Sequence, residues 1–208
     1  MILNWFNKYF LIPIVRLFVF AKIKPNHITL LGLVFAILCF YLLINGMWLI
    51  ASLILLFSGF FDMLDGSIAR YSNNTTLFGK FLDSFIDRVC ESLILCGILI
   101  YFMFSEVSNI TSLLAYTTIC TSIIVSYSRA RAESLGIESK EGLMTRAPRV
   151  LSLTIGLLIF SFSQNPIFLS LSIIDITLLF ITILSVFTII QRVINVKKQT
   201  TSANKQYS

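Results

Sequence analysis

Long apolar runs alternate with short polar stretches along this chain, and the run lengths define its elements. Six runs, at about 28–45, 47–71, 77–104, 110–133, 146–164 and 167–193, each carry the roughly 20 apolar residues that a helix needs to cross a bilayer. The second, third and fourth turn polar at one end. Residues 1–20 (MILNWFNKYFLIPIVRLFVF) differ. Their scattered aromatics, the charges Lys8 and Arg16 and the interruption at Pro13 predict an amphipathic helix lying in the membrane interface. In the KIKPNHIT stretch that follows, Pro25 marks a turn and Asn26 is placed to cap the first span. The pattern therefore predicts an all-α integral membrane protein. It has an interfacial arm over 1–24, a six-helix domain over 25–193 and a fraying polar tail over 194–208.

Composition supports the membrane assignment, because 57% of the chain is hydrophobic and only 12% charged, about half the charge of a soluble domain. A cleavable signal peptide is not expected, since residues 1–20 lack a small-residue cleavage site and Lys22 and Lys24 follow them. The net charge of +6 fits basic loops beside anionic headgroups better than a nucleic-acid partner.

Charge also sets the topology. All 16 Lys and Arg fall in the N-terminal arm, the regions joining runs two to three and four to five, or the tail. The connections near Asn45–Gly46, Ser105–Asn109 and Gln164–Pro166 carry none. With six spans, the basic regions share one side, which the positive-inside rule makes cytoplasmic together with both termini. Cys39, Cys90, Cys96 and Cys120 lie in apolar runs without a CxxC pair and read as packing residues. His27, at a helix entrance, reads as a polar interface residue.

One polar stretch cannot be explained by topology: DMLDGSIARYSNNTTLFGKFLDSFID, from Asp62 to Asp87. Asp62 and Asp65 are three apart, and Asp83 and Asp87 four apart, so each pair shares a helical face. Facing lipid, the four carboxylates would cost roughly 10 kcal/mol or more. They require a polar cavity and a counter-charge. Ion pairs with Arg70, Lys80 and Arg88 could absorb one or two of them, but not four on converging faces beside Gly66, Ala69 and Gly79. Hard carboxylate oxygens suit Mg²⁺ or Mn²⁺, and four of them can hold two ions about 3.5–4 Å apart, as phosphoryl chemistry uses. A cation transporter would also bury acids, but nearer the midplane of broken helices, whereas these crowd the cytoplasmic ends of two spans.

The stretch resembles the CDP-alcohol phosphatidyltransferases, whose signature D-x2-D-G-x2-A-R-x8-G-x3-D-x3-D it matches at every fixed position and spacing. The resemblance implies an enzyme that cleaves the pyrophosphate of a CDP-linked lipid, CDP-diacylglycerol or CDP-archaeol, passes the phosphatidyl group to an acceptor hydroxyl and releases CMP. It implies that Asp62, Asp65, Asp83 and Asp87 surround two metal ions, with Asp87 also taking the acceptor proton. Gly66, Arg70 and Gly79 would line the CDP pocket. PNHIT is similar to the family's PNxxT element, which adds Pro25, Asn26 and Thr29 to that pocket. The resemblance further implies a homodimer.

A second polar cluster, Ser126 to Glu133 and then through Lys140 to Arg149, bears on the acceptor. Several guanidinium groups at a helix N-terminus make an anion site, which a phosphorylated acceptor needs and free serine or ethanolamine does not. SYSRARAESLGI and GLMTRAPRV resemble the inositol-phosphate branch of the family, which implies phosphate contacts at Ser126, Arg129, Arg149 and Arg192, with Arg146 beside them. Pro148 departs from that branch, where an acidic or other polar residue is common. Inositol 1-phosphate is the leading acceptor and glycerol 3-phosphate the alternative.

Overall fold

The computed structural model describes residues 20, 25–71, 76–105, 109–139, 142–166 and 171–206; the interfacial helix expected over 1–20 lies outside them apart from Phe20. The six apolar runs are helices: α1 Pro25–Ile44, α2 Trp48–Tyr71, α3 Leu77–Phe104, α4 Asn109–Ser134, α5 Arg146–Phe162 and α6 Ile173–Gln206. Three of them contain stretches long and apolar enough to cross a membrane, Asn26–Ile44, Ile110–Ser134 and Ile173–Thr201.

Local chemistry sets the helix ends. Proline is favoured at the first helical position because its missing N–H would be unsatisfied there anyway, and α1 begins at Pro25. Asn26 therefore sits inside the first turn rather than at the cap. Gly46 and Gly136 close α1 and α4 with φ of 71° and 73°, a left-handed conformation that glycine adopts without penalty. In each case a paired bond pattern takes up the last carbonyls: Gly46 N to Leu43 O with Met47 N to Leu42 O, and Gly136 N to Glu133 O with Ile137 N to Ala132 O. Thr76 caps α3 by accepting a 2.9 Å hydrogen bond from Gly79 N. Ser172 and Asp175 form a reciprocal capping box at α6, Ser172 N donating to Asp175 Oδ2 (2.8 Å) and Asp175 N to Ser172 Oγ (3.4 Å).

The last helix corrects an expected boundary. A span over 167–193 with a fraying tail is instead a helix that continues to Gln206. No Gly or Pro interrupts VINVKKQTTSANKQ. Thr200 and Thr201 bond back to Val196 O and Lys197 O, and Gln199 Nε2 reaches Glu138 O at 3.1 Å, tying this end to the segment after α4.

The bundle is apolar outside and partly polar inside. Val34, Tyr41, Phe57, Leu113, Phe180 and Ile183 are exposed, while Ser52, Thr118, Ser185 and Thr188 are buried. Water would favour the reverse arrangement; a lipid surround favours this one, with small hydroxylated residues between helices. Between α4 and α6, Thr111 Oγ1 donates to Asp175 Oδ1 (2.5 Å) and the Thr118 and Thr182 hydroxyls meet at 2.8 Å. At the end of the bundle away from the aspartates, Trp48 packs edge-on against Tyr101 and Phe160, with ring centroids 4.7 and 5.1 Å away. α1 packs on α2 and α3, α5 joins α2 to α6, and α4 lies against α3 and α6.

The α5–α6 contact is the tightest on which stability can be tested. A Cβ on Gly156 would come within 2.4 Å of Thr177 Oγ1 and 2.8 Å of Thr177 Cβ. Thr177 is β-branched and stiff. Gly156→Ala is expected to destabilise the fold by about 1–3 kcal/mol, the usual range for overpacking. Thermal unfolding in detergent checks this, and an unchanged midpoint would show the contact to be slack.

Candidate active site

α3 carries Asp83 and Asp87 one turn apart, and Asp87 is turned toward α1 and α5. Asp87 has 15% of its side chain exposed, and its Oδ1 lies 2.7 Å from Arg146 Nη1, on the first turn of α5. Arg88 Nη1 is 4.0 Å from the other oxygen and donates to Ser84 O. One crevice gathers four helices around this pair: Thr29 and Gly32 from α1, Ser58 from α2, Asp87 and Cys90 from α3, and Arg146 from α5. Thus the structure brings Asp87 together with Thr29 of the PNHIT element and with one arginine of the second cluster.

Gly79 explains how the start of α3 approaches α1. A Cβ there would lie 3.0 Å from Thr76 Oγ1 and 3.2 Å from Asn26 Oδ1. Asn26 and Gly79, distant in sequence, are neighbours because no side chain stands between them. Asp62, Asp65, Gly66 and Arg70 lie on the second half of α2, which is helical through Tyr71, but their side chains are outside the described residues, as is that of Pro25. Among the described residues that line the crevice, Asp87 supplies a hard carboxylate of the kind a divalent ion takes, and no His is present.

The second cluster is divided by helix. Ser126, Arg129 and Glu133 fall on one face of the last turns of α4, where Arg129 Nε and Glu133 Oε1 pair at 2.8 Å and both remain partly exposed. Arg192, on α6, is 2% exposed and donates through Nη1 to Val125 O, beside half-buried Ser126, and to Ser128 Oγ at 3.5 Å. Arg129 and Arg149 both lie close enough to act electrostatically on Arg192. Pro148 does not disturb α5, since it is the third helical residue, whose N–H would have no carbonyl partner in the helix.

Arg149 is also 2% exposed, and its guanidinium forms a two-pronged pair with Glu91: Nε to Oε1 at 2.6 Å and Nη2 to Oε2 at 2.9 Å. Its Nη1 donates to Met144 O at 2.9 Å. Glu91 was not among the residues that the sequence reading selected. The signal was available, because Asp83, Asp87 and Glu91 continue one four-residue series along the same face of α3.

Acidic residues on α2 and α3 and arginines on α4, α5 and α6, in a bundle with an apolar outside, suit an enzyme that handles phosphate groups at a membrane. Residues 22–190 match the family described as CDP-alcohol phosphatidyltransferase, and the chain belongs to that family. It is 34% identical over 190 residues to the archaetidylinositol phosphate synthase of Methanothermobacter thermautotrophicus, covering 88% of this chain and 91% of that protein. Its fold is similar to the crystal structure of Mycobacterium tuberculosis phosphatidylinositol phosphate synthase with CDP-DAG bound, at a TM-score of 0.80 and 26% identity, over 90% of this chain and 93% of that one. The same mycobacterial enzyme in complex with manganese and citrate matches at a TM-score of 0.79 and 27% identity, over 88% of this chain and 87% of that one.

Gly79→Ala tests the approach of α3 to α1. The added methyl must displace Thr76 or Asn26 by a few tenths of an ångström. CMP release is expected to fall about tenfold or more, in line with the sensitivity of reacting geometry to small displacements, while the unfolding midpoint shifts little. Full activity in this variant would show that the Asn26–Gly79 approach has no part in the site.

Proposed function

We propose that this protein transfers the phosphatidyl or archaetidyl group of a CDP-linked lipid to inositol 1-phosphate, releasing CMP. The observation that carries the reading is the 2.7 Å Arg146–Asp87 pair. It joins the carboxylate series of α3 to the arginine cluster, so an acceptor phosphate held by the cluster lies beside a proton-accepting oxygen. The names of the archaeal and mycobacterial relatives support the same acceptor.

In this reading Asn26, Thr29 and Gly79 border the CDP pocket, with Pro25, Gly66 and Arg70 completing it. Asp62, Asp65, Asp83 and Asp87 would hold two divalent ions, Mg²⁺ or Mn²⁺, which when bound supply charge neutralisation at the pyrophosphate. Arg129 and Arg146, the partly exposed arginines, meet the acceptor phosphate with Ser126, while the expected direct contacts of Arg149 and Arg192 give way to support from behind, since both are buried and bonded to Glu91 and Val125 O. Asp87 takes the proton of the acceptor hydroxyl. The hydroxyl oxygen then bonds to the lipid-side phosphorus, the bond from that phosphorus to the bridging oxygen breaks, and CMP departs with that oxygen. Chain type stays open between acyl and isoprenoid, since CDP-DAG is bound by one relative and the other is named for an archaetidyl product.

Six spans would put all the basic regions on one side, which the positive-inside rule makes cytoplasmic together with both termini and the site. In a cysteine-free background, cysteines replacing Glu138 and Gln164 are expected to react with an impermeant thiol label from opposite faces of oriented vesicles. Labelling from the same face would refute this topology.

The deciding assay is CMP release by the purified protein with Mg²⁺ and a CDP-lipid, comparing inositol 1-phosphate, inositol, glycerol 3-phosphate and serine. Release with inositol 1-phosphate alone is expected. Release with glycerol 3-phosphate would correct the acceptor, and release only with an unphosphorylated one would make the arginines membrane anchors. Asp83→Asn, which removes charge at nearly constant shape, is expected to lower turnover by at least about a hundredfold. Near-normal turnover would remove Asp83 from the metal site.

A further inference from the structure

We propose that Glu91 is a positioning residue of the acceptor side, acting through Arg149 to fix the first turn of α5 and with it Arg146 opposite Asp87. The inference deepens the reading of the arginines as the acceptor-phosphate site and rests on it. α3 and α5 are joined by two ionic rungs. Asp87 meets Arg146 at 2.7 Å, and one turn along α3 Glu91 meets Arg149 at 2.6 and 2.9 Å. The rungs differ in setting: Arg146 is 28% exposed and lines the crevice, whereas Arg149 is 2% and Glu91 8% exposed.

The inner rung holds more than two helices. Arg149 Nη1 donates to Met144 O (2.9 Å), and Met144 N donates to Thr188 Oγ1 (3.0 Å), one turn before Arg192 on α6. A continuous path, Glu91–Arg149–Met144–Thr188, thus runs from the carboxylate helix through the entry to α5 and onto the helix that carries Arg192. The planar fork of a guanidinium against a carboxylate fixes direction as well as distance, which a single hydrogen bond does not. Glu91 itself is buried and one turn from Asp87, so it supports the binding surface from behind and is not a catalytic residue.

Glu91→Asp keeps the charge and draws the carboxylate back by one methylene; Glu91→Gln keeps the length and removes the charge. Each is made alone, as is Arg149→Met, and Glu91→Gln is also combined with Arg149→Met, which leaves no unpaired buried charge. The acceptor is whichever one supports CMP release by the unmodified protein. Expected are an acceptor KM raised about tenfold in Glu91→Gln and several-fold in Glu91→Asp, with the CDP-lipid KM within about twofold of the original. In the Arg149→Met background, Glu91→Gln is expected to add nothing to the acceptor KM, since its effect passes through Arg149. Thermal unfolding is followed in parallel. Equal rises in both KM values, an unchanged acceptor KM in Glu91→Asp, or a full additive effect without Arg149 would each overturn the proposal. If Glu91→Gln does not fold, Glu91→Asp and the double variant decide. An unphosphorylated acceptor would refute the arginine reading, and the KM split for that acceptor would still decide the role of Glu91.

Discussion

A guanidinium sealed inside a helix bundle needs a counter-charge that the bundle itself supplies. Arg149 has one in Glu91, and the pair's geometry leaves little freedom in how α3, α5 and the segment before α5 can be arranged. Such a pair is not a large source of net stability, because removing both charges from water costs about as much as their attraction returns. Its force lies in asymmetry. Loss of one partner leaves an uncompensated buried charge, at about 3–5 kcal/mol, so any packing that separates the helices is disfavoured. The outer Asp87–Arg146 contact, being partly exposed, could not impose this alone.

The same requirement runs through the rest of the bundle. Thr111 with Asp175, Thr118 with Thr182, and Arg192 with Val125 O and Ser128 form a polar seam along α4 and α6. Large apolar side chains cover the outside. Lipid gives helices no hydrophobic reason to associate, so small residues and internal hydrogen bonds must do so. Gly156 against Thr177 and Gly97 against Leu43 show how close the helices come where a side chain is absent.

Much of this was legible in the sequence because the signals were periodic. Run lengths located all six helices, and the Asp83–Asp87 spacing placed two carboxylates on one face of α3. What escaped notice lacked periodicity or depended on a partner distant in sequence. Glu91 lies in an apolar run, and only the approach of α5 shows that its partner is Arg149, 58 residues away. The helical extension of α6 to Gln206 was missed for a related reason: polar composition reads as tail, yet backbone-directed hydroxyls and the Gln199–Glu138 bond keep it helical. Asn26 looked like a cap from its type, but α1 already begins at Pro25, whose missing N–H removes one of the donors a cap would serve.

The distribution of arginines across the bundle gives the site its asymmetry. Arg129 stands on α4, Arg146 and Arg149 on α5 and Arg192 on α6, whereas the carboxylates stand on α2 and α3. α5 brings the two sets together, because its first turn carries Arg146 to 2.7 Å from Asp87 while Arg149 pairs with Glu91. Like charges repel, and partly exposed Arg129 and buried Arg149 both lie near Arg192, with Glu133 offsetting part of that repulsion. Glu91 and the Val125 carbonyl hold Arg149 and Arg192 in place, whereas the exposed Arg129–Glu133 pair leaves Arg129 able to turn toward an anion. In the proposed reading the protein bears the cost of gathering positive charge during folding, so that an acceptor phosphate would meet a field already formed.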